Sequence, residues 1–288
     1  TDLCENKKLA KVIDTEIHTV VSNVIKQMYI LNERLKPING DSGYQLRKIH
    51  GATRIHTDSI FCTLHDKIIP KSDLRKLSLI LTLNSDYEGG EFYFPNQDIK
   101  LKLKKRQAIL FPPYWTHPHY TSDLENGTYR YAINTWLLEN VNGIANNNYK
   151  HGQNVLSKTV FINNTENIKF AKFIDGEIHK IVTDIIIRIL KINLEIIALN
   201  GDSGYQLRKI HGATRHHTDS IFAGNIPDSI NPKVIRKMSL IIALNSDYEG
   251  GEFYFPHQNV KVKLKKGQAI LFPPYWTHPH STGELNGT

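Results

Sequence analysis

The sequence predicts a mainly β protein with N-terminal helices, a double-stranded β-helix or jelly roll, in two tandem domains. Three observations predict it. Long segments return at a fixed offset of 161 residues in a chain of 288. Each copy opens on a helical pattern and then breaks into about eight short strands set apart by Gly, Pro and Asn, the habit of a jelly roll. Each copy also places one His-x-Asp tripeptide early in its strand region: His56-Thr57-Asp58 and His217-Thr218-Asp219.

The repeat is close. Asn39 to Arg54 returns unchanged as Asn200 to Arg215, Leu83 to Pro95 as Leu244 to Pro256, and Gln107 to His119 as Gln268 to His280. Solenoid repeats run at roughly 20–50 residues, so this period marks duplication of a whole domain. The stretch 139–161 is rich in Asn and Gly with little periodicity and reads as a linker. The expected domains are therefore residues 1–138 and 162–288, the second ending before the counterpart of the last strand.

Ala10 to Leu35 carries apolar residues near i, i+3 and i+4, as does Phe170 to Ile197, so each is expected to be an amphipathic helix. Pro37 to Gly43 breaks that pattern. The strands expected after it are Tyr44–His50, Arg54–Ser59, Lys76–Leu83, Gly90–Phe94, Ile99–Leu103, Ala108–Phe111, Thr116–Tyr120 and Tyr129–Leu137. Gly89-Gly90 reads as a tight turn or bulge at a sheet corner. Phe61–Leu74 and Phe222–Ile235 have diverged while the segments around them have not.

Composition narrows the function classes. The net charge is +8, and Lys100, Lys102, Lys104, Lys105 and Arg106 form the densest basic run, matched by Lys261, Lys263, Lys265 and Lys266. Its period-two alternation puts the lysines on one strand face, which reads as a solvated face that discourages edge pairing rather than a polyanion stripe. Cys4 and Cys62 are the two cysteines, which argues against a disulfide-built secreted protein. No apolar run approaches the roughly 20 residues of a membrane span, and no signal peptide precedes the first helix, so a cytoplasmic setting without membrane contact is expected.

Residues i and i+2 of a strand point the same way. His56 and Asp58 would therefore aim an imidazole and a carboxylate at one spot, as would His217 and Asp219. A second histidine from a distant strand would complete a 2-His-1-carboxylate facial triad, which leaves metal positions open. Phe111-Pro112-Pro113-Tyr114-Trp115-Thr116-His117-Pro118-His119 supplies late histidines, and Arg130 begins the last strand six residues before Trp136. His18, His65, His151 and His257 sit in no motif.

This order of motifs (H-x-D, L-N-x4-GGE-x-x-F, F-P-x3-T-H, R-Y-x4-W) resembles the Fe(II)/2-oxoglutarate-dependent dioxygenases, in particular their prolyl 4-hydroxylase-like branch with many viral members. The resemblance runs from about Tyr44 to Trp136 and from Tyr205 to Thr288. It implies a distorted double-stranded β-helix with iron inside one mouth. His56 and Asp58 would be two ligands. The third is open between His117, favoured by its spacing after Pro112 and Trp115-Thr116, and His119, favoured by its spacing before Arg130. The reading adopted is His117, with His119 lining the pocket. The corresponding set in the second copy is His217, Asp219 and His278, with His280 as the alternative. Arg130 would hold the far carboxylate of 2-oxoglutarate, a task suited to a planar, permanently charged fork. His50 falls where many relatives have a tyrosine, and the diverged stretches would lie beside the substrate mouth.

The implied activity is hydroxylation of a substrate, with peptidyl proline the default, and release of succinate and CO2. Fe(II), 2-oxoglutarate, O2 and ascorbate would be the accompanying small molecules, and a peptide or protein the substrate. A non-catalytic jelly-roll binding module is the rival reading, to which the second copy is the more open. An oxygenase acting on nucleic acid ranks below both, because the sequence shows no basic stripe interleaved with aromatics.

Overall fold

The structure, a computed structural model, describes residues 7–31, 38–60, 69–70, 74–139, 156–161, 168–192, 199, 201–202, 205–219, 221, 229–230 and 235–286. The chain divides into two compact units, residues 1–146 with 226–232, and residues 147–225 with 233–288.

The first unit opens with helix α1 (Lys7–Leu31), whose Ile17 and Val21 are buried one turn apart. Strands follow: β1 (Ile38–Asp41), β2 (Gln45–Ile49), β3 (Thr53–His56), β4 (Ile69–Pro70), β5 (Arg75–Thr82), β6 (Glu88–Gly89), β7 (Phe92–Phe94), β8 (Ile99–Leu101), β9 (Ala108–Phe111), β10 (His119–Thr121), β11 (Leu124–Glu125) and β12 (Arg130–Glu139). They form a larger sheet in the order β1-β12-β5-β9, with β2 also on β12, and a smaller sheet in the order β3-β10-β7-β8. Non-sequential neighbours in both sheets are the mark of a jelly roll. Phe92, Phe94 and Leu103 from the smaller sheet side pack with Phe111, Ile80 and Ile109 of the larger one, which builds the layer between the sheets.

Three details depart from the sequence reading. Ile38–Asp41 is a strand where a break was expected, and it pairs with the end of β12. The stretch Thr116–Tyr120 is not one strand: residues 114–117 turn, with His117 N–H donating to the Tyr114 carbonyl, and β10 starts only at His119. Strand β5 carries a bulge, since Leu137 pairs with Leu77 but Leu138 pairs with Arg75. The glycine pair behaves as expected. Gly89 and Gly90 have φ of 68° and 67°, and a Cβ on Gly89 would lie 2.0 Å from the Asp123 carbonyl oxygen. That close approach lets the short β6–β11 ribbon close.

The second unit repeats much of this plan. It contains β13 (Leu156–Phe161), α2 (Ile168–Ile192), β14 (Gln206–His211), β16 (Ser239–Ile242), β17 (Glu249–Gly250), β18 (Phe253–Phe255), β19 (Val260–Val262), β20 (Ala269–Phe272), β21 (Ser281–Thr282) and β22 (Leu285–Asn286). The two-residue β15 (Ser229–Ile230) belongs to the first unit, where it pairs with β4. Strand β13 lies inside the stretch read as linker and pairs along its whole length with β14. Most of the diverged segments, 61–68 with 71–73 and 222–228 with 231–234, lie outside the described residues, as do His65 and His151.

Candidate metal centre

Strand register assembles the site. On β12 the alternate residues Arg130, Ala132, Asn134 and Trp136 share one face. Their direct partners share it too: Ile49, Arg47 and Gln45 on β2, and Thr82, Ile80 and Ser78 opposite Ala132, Asn134 and Trp136 on β5. Across the barrel, His119 of β10 pairs directly with His56 of β3. The interior between these two walls holds the chemistry-bearing groups.

Nitrogen and oxygen atoms of His56, Asp58 and His119 lie within 4.8 Å of one another. The Nε2 atoms of His56 and His119 are 3.5 and 3.8 Å from Asp58 Oδ1, and the two rings lie 4.4 Å apart between centroids. Both imidazoles are oriented through their other nitrogen. His56 Nδ1 donates to the Arg54 carbonyl at 2.8 Å, and His119 Nδ1 to the His117 carbonyl at 3.1 Å. A carbonyl can only accept, so each Nδ1 carries the hydrogen and each Nε2 keeps its lone pair for a ligand.

The third member is His119, which corrects the adopted reading of His117. The cause is the turn at residues 114–117. It removes His117 from the strand, and its Nδ1 lies 2.9 Å from the Thr116 hydroxyl. His119 instead sits 5% exposed, against Phe94 and Phe111 at centroid distances of 5.4 and 4.6 Å. No local signal separates the two, because the histidine that meets Asp58 is the one that pairs across the ladder with His56 of a distant strand.

Protonation follows from these contacts. Burial alone would raise the Asp58 carboxyl. Contacts with His56, Ser78 and Trp136 and the nearby His119 outweigh it and hold the pKa down to about 2. The Asp58 carboxylate beside His56 raises that imidazole, whereas burial pushes His119 down. The set therefore combines an ionised carboxylate with a buried imidazole that gives up its proton more readily than usual, His119, and one that holds it more tightly, His56.

Arg130 is 2% exposed, with Nη1 donating to the Gly90 carbonyl at 2.7 Å and its guanidinium 4.4 Å from the Phe92 centroid. Burial lowers its pKa, yet an arginine stays charged. Arg130 Nε, Thr82 Oγ1 and Asn134 Oδ1 are buried without a hydrogen bond, all on the site-facing wall. Buried polar atoms left open in this way suit a polar guest. Two imidazole nitrogens and a carboxylate oxygen brought this close together are the donor set of a non-haem Fe(II) centre. The chain's own residues thus fit both an iron and a dicarboxylate.

Residues 44–138 match the family described as the 2OG-Fe(II) oxygenase superfamily. The match covers about a third of the chain, so the likeness to this superfamily is a property of that segment. The segment holds every site residue of the first unit named above, from Arg47 to Trp136. Fe(II) and 2-oxoglutarate are the groups the family takes.

Among solved structures, the chain is similar to a viral collagen prolyl hydroxylase from Paramecium bursaria Chlorella virus-1, at 22% identity over 41% of this chain and 70% of that one, TM-score 0.34. It is also similar to a prolyl hydroxylase from Trichoplax adhaerens, solved with a hypoxia inducible factor peptide, at 22% identity over 43% and 56%, TM-score 0.34. A prolyl-4-hydroxylase from Pseudomonas putida gives 15% identity over 43% and 65%, TM-score 0.32. The chain thus spans about half to two thirds of the length of the last two. Among curated proteins none matches the chain. The likeness to the superfamily rests on the matched segment, not on these distant structures.

The second unit reproduces the triad as His217, Asp219 and His280, again within 4.8 Å. His217 and His280 Nε2 lie 3.4 and 3.5 Å from Asp219 Oδ1, and His217 pairs with His280 in an isolated bridge. His278 stands where His117 does, with Nδ1 2.9 Å from the Thr277 hydroxyl, and burial lowers its pKa to about 4. The expectation of His278 is corrected to His280 for the same reason. The register position that Arg130 holds against β2 in the first unit is taken against β14 by Ser157 of β13, since Ser157 pairs with Ile210 as Arg130 pairs with Ile49.

The sequence reading missed Arg47, Ser78 and Arg75. Arg47 is exposed on the site-facing side of β2, next to Ala132, and its charge is felt at both His56 and Arg130. The repeated QLRKI segment was the signal, because its alternate residues must share a face with whatever strand pairs with it. His50, exposed, meets only the Tyr129 ring edge-on among the contacts described, at 5.8 Å, and stays without a role. His18 Nδ1 lies 3.1 Å from the Tyr44 hydroxyl, far from this chemistry.

Proposed function

We propose that the first unit is an Fe(II)- and 2-oxoglutarate-dependent dioxygenase that hydroxylates a peptide substrate, with proline as the default residue. One observation carries the reading: two imidazole Nε2 atoms and one carboxylate oxygen converge while both Nδ1 atoms are spent on backbone carbonyls. Iron bound there would supply the activation of O2 and the oxidation of 2-oxoglutarate to succinate and CO2.

The protein's share is binding, orientation and shielding. Arg130 offers its guanidinium edge to the distal carboxylate of 2-oxoglutarate, helped by Thr82 and Asn134 on the same wall. Phe92 beneath Arg130, and Phe94 and Phe111 around His119, keep this end of the cavity dry, which strengthens each charged contact. His56, 42% exposed against 5% for His119, marks the open side where substrate enters. Nearby Arg47 makes that mouth cationic.

For the second unit we propose metal binding with a weaker hold on 2-oxoglutarate. Its triad is complete, and Ser157 occupies the register position of the arginine.

Succinate release tests both statements. Purified chain with Fe(II), 2-oxoglutarate and a panel of proline-rich peptides should release succinate and add one oxygen to one peptide. Asp58→Ala should remove most of it. No succinate from any peptide, with 2-oxoglutarate unconsumed, would overturn the oxygenase reading.

A further inference from the structure

The geometry points to Arg75 and Trp136 as a clamp that positions Asp58, choosing which of its carboxylate oxygens faces the metal. This inference rests on the metal-centre reading above and concerns residues that touch Asp58, not the reacting groups.

The clamp begins with the bulge in β5. Leu77, Leu79 and Leu81 point away from the site, and strict alternation would send Arg75 with them. Between Leu77 and Arg75 the partner strand advances by a single residue, from Leu137 to Leu138. The extra residue, Lys76, re-aims the side chain before it, as bulges do. Arg75 therefore reaches the site-facing side. Its guanidinium carbon lies 3.9 Å from the Trp136 ring centroid, and its Nη1 donates to the backbone carbonyl of Asp58.

Trp136 completes the hold. Its indole Nε1–H donates to Asp58 Oδ2 at 3.1 Å. The carboxylate is then tied at one oxygen, and the other, Oδ1, is the atom that faces His56 and His119 Nε2. A carboxylate left to rotate would offer either oxygen or both; this one offers Oδ1 alone. Stacking on the flat indole face fixes the guanidinium, and the guanidinium in turn fixes the loop that carries Asp58. The second unit keeps the arginine half, since Arg236 Nη1 donates to the Asp219 carbonyl at 3.2 Å.

The test uses the full chain carrying Asp219→Ala, so that only the first site is titrated, with Mn(II) as the probe. Trp136→Phe keeps a ring beneath Arg75 and removes the indole N–H. It should weaken Mn(II) about 10-fold, the usual cost of losing a group that orients a ligand, with an unchanged thermal midpoint of the metal-free protein. Arg75→Leu should weaken Mn(II) similarly, and Arg75→Gln, which keeps a planar donor, should recover part of the loss. The Co(II) absorption spectrum should shift in Trp136→Phe as the carboxylate begins to bind through both oxygens. Unaltered Mn(II) affinity and Co(II) spectrum in a folded Trp136→Phe would overturn the clamp. If Trp136→Phe does not fold, Arg75→Leu decides, and wild-type Mn(II) affinity there overturns it. Asp58→Ala in the same background separates the two claims. Retained Mn(II) binding there refutes the metal centre itself, whereas loss there beside normal binding in Trp136→Phe refutes only the clamp.

Discussion

His117 and His119 are two residues apart and chemically identical, yet only His119 meets Asp58. The expected outcome is asymmetric. His119→Ala should lose first-site metal, while His117→Ala should keep it within a few-fold, as read by Mn(II) titration with the second site silenced. His56 gives the site its pH response. Its pKa is raised by the Asp58 carboxylate, so in the metal-free protein it stays protonated to above its usual value. Metal must displace that proton, and affinity should fall as pH drops through and below that raised pKa, with about one proton released per metal bound. Asp58, held down to about 2, stays ionised throughout and adds no slope above pH 5. A flat affinity between pH 8 and pH 6 would contradict this assignment. Arg130 is the other single-residue test. Arg130→Ala should weaken 2-oxoglutarate by roughly 3–5 kcal/mol, the scale of a buried ion pair that loses one partner, and leave Mn(II) affinity nearly unchanged. Equal 2-oxoglutarate binding, followed by calorimetry, would assign the carboxylate to another cation, of which Arg47 is the nearest by register.

At the level of elements, bulges and turns decide what the alternating pattern leaves open. The turn at residues 114–117 resets the phase of the strand after it, and the bulge at Lys76 reverses the direction of Arg75. The glycine pair acts in the same way on β6. Gly89→Ala should destabilise the first unit by on the order of 1–3 kcal/mol for the backbone conformation alone, with more from the collision with the Asp123 carbonyl. Urea unfolding of the chain should show it as an earlier first transition. The basic strand also reads differently once paired. Lys100 lies 5.1 Å from the ring centroid of Tyr93, which stacks on Tyr120 at 4.7 Å, and Lys102 lies 5.0 Å from that of Tyr87. Aromatics and lysines interleave across strands rather than along one, which a reading of linear sequence does not show. The Glu91 carboxyl is held down first by the hydroxyl of Ser122, which donates to it, with Lys100 and Lys102 adding a smaller pull.

Across the whole chain, two triads of the same geometry stand in two compact units. Metal analysis should therefore find two Mn(II) per chain, falling to one in Asp58→Ala and to one in Asp219→Ala. A single metal in the wild type would mean that one triad is only a geometric copy. Turnover should divide unequally, because Arg130, the anchor proposed for 2-oxoglutarate, is in the first unit and Ser157 holds that register position in the second. Asp219→Ala should keep most of the succinate release. A larger loss there than in Asp58→Ala would reverse the ranking of the units. None of the helices among the described residues is long and apolar enough to cross a membrane.

The duplicated motifs, the succession of short strands and the candidacy of His56, Asp58 and Arg130 for the site were all legible in the residues. Those signals are local: a tripeptide on a strand, a glycine pair at a corner, a fixed offset between copies. The choice between His117 and His119 was not legible, because it turns on where β10 begins, and that is set by the turn at Tyr114 and by pairing with a strand more than 60 residues away in sequence. The same holds for Arg75, which a strict period of two sends to the wrong face, and for Trp136, whose indole finds Asp58 only after β12 has docked on β5. Sequence settles which side chains are available to the centre. Register, a property of strands brought together from distant parts of the chain, settles which atoms face it.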